Sequence, residues 1–149
     1  MRIFQALAER LFDPEARRAA RIGHAIVAHN KVTAAFSRTA EPTSVHTQMS
    51  ASARAIRWAG KVSGDNPQLA LAMLTHVTVA TTQTPHVGSP QMESVRGIAL
   101  HQILELAPLF QTQYPRETAS ALSVAHHAAP PGSALRRRAV TLLENTSNA

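Results

Sequence analysis

NPQLALAMLTHVTVATT, residues 66–82, is the stretch whose reading decides the fold. Its second half, Thr75 to Thr82, is rich in β-branched residues and could be read as a strand. Its first half contains Leu69 to Leu74, a continuous apolar run that starts just after Asn66-Pro67. Asparagine followed by proline is a helix start: the side chain caps, and proline fits the first helical position. The Asn-Pro start and the continuity with LALAML favour one helix over 67–82, apolar nearly all round and therefore central and buried. No other segment reads well as a strand. If 66–82 is helical, the chain is all-α.

The same grammar recurs on both sides. Asp13-Pro14-Glu15 and Ser89-Pro90 are starts of the same kind; Tyr114-Pro115 with Glu117 is a weaker version. Pro42-Thr43-Ser44 and Gly132-Ser133 supply two more. Beyond the first, the starts fall every 20-odd residues, enough for one helix and a short loop. Seven helices are expected, at about 2–12, 14–39, 44–62, 67–82, 90–107, 115–128 and 133–144. Gly64 and Pro130-Pro131-Gly132 mark stops, and Pro108 ends or kinks the fifth helix. Residues 1–144 form a single domain of about six to seven helices, and 145–149 fray. The even spacing suits a compact bundle or a short right-handed superhelix of antiparallel helix pairs.

The strip from about 53 to 132 resembles a VHS/ENTH-type domain, an eight-helix superhelix of about this length. The resemblance rests on ARAIR at 53–57, GDNP at 64–67, the apolar helix at 69–82, VRGIALHQILELAPLFQTQYP at 95–115 and PPG at 130–132. It implies a peptide- or ubiquitin-binding module of membrane traffic. Leu106-Ala107-Pro108 stands where that family usually has tryptophan, and no binding residue carries over.

Composition narrows the chemistry. The chain has 149 residues, 44% of them hydrophobic but only 4% aromatic. That is long enough for a substantial core, built mainly from Ala, Leu, Val, Ile and Met. Cysteine is absent, so thiolate metal sites and cysteine nucleophiles are excluded. The apolar runs are too short for an integral membrane segment, and a soluble cytoplasmic protein is expected. There is no G-x-S-x-G, S-x-x-K, Walker or G-x-G-x-x-G motif, so an enzyme is not favoured and no cofactor is expected.

Eight histidines raise the question of a metal. None forms an H-x-x-x-H or H-E-x-x-H pair, and adjacent His126 and His127 point about 100° apart on a helix. Glu93, Gly97, His101 and Glu105 share one helical stripe, read as a solvated face rather than an acid–base site. His29 falls on an apolar face and is read as a core histidine with one buried hydrogen bond, a pH-sensitive packing role being the alternative.

The net charge of +6 is uneven: ten Lys/Arg face five Asp/Glu in residues 1–75, against five and four in 76–149. On the second helix, Ile22, Ala25, Ile26, His29, Val32, Thr33 and Phe36 form an apolar face, with Arg17, Arg21, His24, Lys31 and Arg38 opposite, diluted by Ala28 and Ala35. In the first, Ile3, Phe4, Leu7 and Leu11 share a side expected to pack on the domain, a membrane or partner surface being the alternative. Arg136, Arg137 and Arg138 lie near the positive end of the last helix, where the dipole opposes them unless an anion is close. The leading expectation is a non-catalytic helical interaction or assembly module; its Ala-rich faces and low aromatic content fit a homo-oligomer. Arg17, Arg21, Lys31, Arg38 and Arg136 to Arg138 would engage an acidic protein or another subunit. A nucleic-acid-binding accessory protein is the alternative; a small histidine-dependent enzyme or metalloprotein is the third.

Overall fold

A computed structural model describes residues 2–5, 13–37 and 43–147. Six long helices occupy them: α1 (Pro14–Ala35), α2 (Val45–Val62), α3 (Pro67–Gln83), α4 (Pro90–Phe110), α5 (Pro115–Ala128) and α6 (Ala134–Ser147). Residues 2–5 are also helical, and no strand occurs among the described residues. The chain is a single all-α domain.

The deciding segment is helical throughout, and its threonines show how. The hydroxyls of buried Thr78 and Thr81 each donate to the carbonyl four residues back, Leu74 O and Val77 O, at 2.8 Å. Thr75 does the same to Leu71 O at 2.7 Å. A β-branched run that suggests a strand thus satisfies its own polar groups inside a helix. Asn66 Oδ1 accepts from Leu69 N at 3.0 Å and starts it. Asp13, Ser44, Ser89 and Ser133 cap the other starts through their side chains, whereas Tyr114 makes no side-chain cap. Each such cap contributes about 1 kcal/mol.

The ends differ from expectation at both proline and tail. α4 carries Pro108 within it and continues to Phe110, because a proline so near the end removes a single backbone bond and Gln111 N still reaches Ala107 O at 2.9 Å. α6 runs to Ser147, past the expected end at 144. Thr146 is buried and donates to Leu142 O at 2.8 Å and to Gln111 Oε1 at 3.4 Å, tying that turn to the end of α4. Gly132 takes φ +75° in the α5–α6 turn, the conformation glycine adopts without steric cost.

Consecutive helices joined by short loops pack as antiparallel pairs. α4 touches both α2 and α6 on one side, and α3 touches α5 on the other. α1 extends this second layer, packing mainly on α2 and only thinly on α3. Leu71, Met73, Leu74, Met92, Ile103, Leu104 and Leu122 fill the centre, each contributing roughly 1.5–3 kcal/mol by burial. Buried alanines surround them, including Ala25, Ala28, Ala55, Ala59, Ala99 and Ala107, and their small side chains let backbones approach closely. Ile3 and Phe4 are 75% and 79% exposed, so they do not pack on the domain as expected. Leu7 and Leu11 lie outside the described residues.

Candidate anion-facing seam between α1 and α2

The buried face of α1 is rotated from the sequence reading. Ala25, Ala28, Val32 and Ala35 are buried, whereas Ile26 and Thr33 are exposed. Ala28 and Ala35, which periodicity alone reads as diluting a basic stripe, are buried. They are core, because their size lets α2 pack close, and the larger Ile26 falls outside. The rotation moves Arg21, His24 and Lys31 from the back of the helix to a flank beside α2, with Arg17 exposed one turn before Arg21.

Three cross-helix contacts set the register along that flank. At one end, Arg21 Nε donates to Asp65 Oδ2 at 2.8 Å, and Arg18 reaches Asp65 O at 2.9 Å. In the middle, His24 stacks on Trp58 with centroids 5.0 Å apart, and Lys61 Nζ lies 4.5 Å from the indole centroid. At the other end, Lys31 shares a recess of about 480 Å³ with His46, Arg54, Thr47 and Ser50. Antiparallel pairing thus brings two cation-rich stretches together.

The α2 side of this seam was missed at the sequence level. Arg54, Arg57 and Lys61 are all exposed and spaced by three and four residues, which is one helical face. α2 contains no acid at all, and within α1 the only carboxylate is Glu15. Those two facts were the available signal. The electrostatics follow directly. The hydrogen bond from Arg21 holds the Asp65 carboxyl below the usual carboxylate range and raises Arg21 in turn. Asp65 is therefore committed to the Arg18/Arg21 end. Among the described residues, no carboxylate pairs with Lys31, Arg54 or Arg57.

The remaining basic positions behave differently. Arg136 Nε donates to His126 O at 3.1 Å, and an Nη of Arg136 to His127 O at 3.4 Å; Arg137 donates to Gly132 O at 2.6 Å. The counter-charge of these two arginines is the carbonyl-rich, negative end of α5 and the turn after it. Arg136 staples α5 to α6, and Arg137 ties α6 to the turn before it. Arg138 is exposed and carries no such contact. Arg38 lies outside the described residues.

The histidines do not converge: no group of three His, Asp or Glu able to hold a metal occurs among the described residues. His126 and His127 meet edge to face within the last turn of α5, at 5.1 Å. His86 Nε2 lies 3.2 Å from Thr43 O. Glu93, His101 and Glu105 are exposed on α4. His29 is only half-buried and its Nδ1, though buried, lacks the expected hydrogen bond. It contacts the ring of His76 instead, at 4.8 Å.

No described helix is long and apolar enough to cross a membrane. No protein-family model matches the chain, and comparison with curated proteins and with solved structures gives no match.

Proposed function

We propose that the chain is a non-catalytic helical interaction module whose α1–α2 seam engages an acidic protein surface or another subunit. One observation carries the reading: cations from two different helices line one seam whose only described carboxylate partner, Asp65, is bound at one end. Lys31, Arg54 and Arg57 are left to face an external anion. Such a field steers an oppositely charged partner and favours its approach over that of neutral surfaces. Arg21 then acts mainly within the fold, and Arg136 and Arg137 hold α6; the binding role expected of them passes to Arg54 and Arg57. Arg138 remains a contributor to the field.

Nucleic acid is the second reading, favoured by the indole of Trp58 among these cations. Against it, the ring already stacks on His24 and takes a cation from Lys61, so a base would have to displace one of them. A role in membrane traffic, as the VHS/ENTH resemblance implies, draws support only from the stacked helix pairs.

Trp58 is the only tryptophan, so its fluorescence reports on the seam. Poly-glutamate is expected to shift its emission at low salt, and Arg54→Glu with Arg57→Glu to abolish that shift while leaving helicity intact. An unchanged titration in the double variant refutes the proposal. A duplex or single-stranded oligonucleotide binding with a steep salt dependence, where poly-glutamate does not bind, selects the second reading.

A further inference from the structure

A groove runs along the outer face of α3, between α1 and α5. It consists of two depressions, of about 520 and 610 Å³, that share His76 and Val79. At their junction α1 meets α3, and this is the thinnest helix–helix contact of the fold. In polar terms the junction is three side chains. Thr33 Oγ1 lies 3.3 Å from His76 Nε2. The rings of His29 and His76 touch, with centroids 4.8 Å apart and planes tilted by 53°. His29 Nδ1 is buried with no hydrogen-bond partner among the described residues. Two imidazoles therefore face each other across a weak interface with one shared hydroxyl contact.

We propose that His29 and His76 form a pH-operated latch that holds α1 against α3 when neutral and releases it when protonated. Adding protons places like charges in ring contact, in a site already partly withdrawn from water, where charge is costly. The surroundings do not offset this. Arg116 and Glu117 from α5 and His86 from the α3–α4 loop are the other charged or titratable groups lining the groove, and α2 contributes only Gln48. Glu117 Oε1 is engaged by Gln68 Nε2 at 3.2 Å, and Arg116 beside it adds to the positive field. His86 is held by Thr43 O.

Burial, and then the neighbouring His29, lower the pKa of His76 from its ordinary value. The closed junction thus binds fewer protons than the open one. Acidification through the ordinary histidine range, about pH 6.5 and below, shifts the equilibrium towards opening, and neutral pH restores closure. α1 stays attached through α2, so the expected response is a swing of α1 that widens the groove, not unfolding.

The chain has no cysteine, so spin labels can be placed at Asn30→Cys on α1 and Ser123→Cys on α5, both exposed. Pulsed electron resonance should show one distance population at about pH 8 and an added, longer one at about pH 5. His76→Phe, which keeps a ring without a charge, should show only the shorter population at both values; His86→Gln should retain the longer one in acid. If His76→Phe lacks native circular dichroism, His29→Phe is the equivalent probe. Identical distributions at the two pH values overturn the latch. So does a longer population that persists at low pH in a folded His76→Phe or His29→Phe variant.

Discussion

Gln48→Ala tests how the seam is held in register. Gln48 is 5% exposed and sits where the end of α1, the start of α2 and the end of α3 converge. Its Nε2 donates to Ala35 O at 3.3 Å, and Thr84 Oγ1 donates to its Oε1 at 2.7 Å. Each bond contributes a net of about 1 kcal/mol, and each buried partner left unpaired costs about 1 kcal/mol or more. Truncation to alanine loses both bonds and orphans both partners, but the groove beside Gln48 lets some water in. The expected loss is about 2–4 kcal/mol. For a chain of this size that lowers Tm by roughly 6–12 °C. Thermal and urea unfolding followed by circular dichroism measure it. The sharper comparison is a cycle with Thr84→Val. Gln48→Leu alone leaves Ala35 O and the Thr84 hydroxyl proton unpaired; the double variant leaves Ala35 O and also His86 N, which donates to Thr84 Oγ1 at 3.3 Å in the parent, so the bond shared by the two changes should make them less than additive by about 1 kcal/mol. A loss in Gln48→Ala below about 0.5 kcal/mol, or strict additivity in the cycle, would show that this bridge does not hold the three helices together.

Two further outcomes follow from single positions. Asp65 has its carboxyl pKa lowered by Arg21, so it stabilises the fold above about pH 4 and loses that contribution as pH falls through its lower folded-state value. Asp65→Asn should therefore be less stable than the parent at neutral pH, with the gap closing in acid; a gap that widens in acid contradicts the pairing. Gly60 lies inside α2, where an added Cβ would sit 2.8 Å from Gln102 Nε2. That atom ends a flexible side chain whose Oε1 has no partner, so it can move away. Gly60→Ala should then gain stability from helix propensity, by up to about 1 kcal/mol; a net loss on urea unfolding would mean Gln102 is locked.

The helices were legible because their starts are local chemistry. Asp13, Ser44, Asn66, Ser89 and Ser133 each close a hydrogen bond to a backbone N–H two or three residues ahead, and that geometry needs no tertiary contact. The excess of charge in residues 1–75 was equally plain, being a count. Which face of α1 is buried was not. A helix rich in alanine offers several faces of similar hydrophobicity, and Ile26 and Val27 on the wrong side outweigh Ala28 on the right one in any periodicity argument. Packing resolved it by size: α1 buries Ala25, Ala28, Val32 and Ala35 and leaves the larger Ile26 and Val27 outside.

That rotation decides the candidate site. The sequence by itself determined that the chain is helical, where the helices begin, and that cations concentrate in its first half. Only the tertiary structure decided which cations face outward together. It spends Arg21 on Asp65, and Arg136 and Arg137 on the carbonyls around the end of α5. It leaves Lys31 beside Arg54, and His29 against His76. Apart from Arg137 with Gly132, five residues apart, each of these contacts joins two helices or a helix and the turn at another's end. Their meeting depends on rotation and register, which short-range preferences along one helix do not encode.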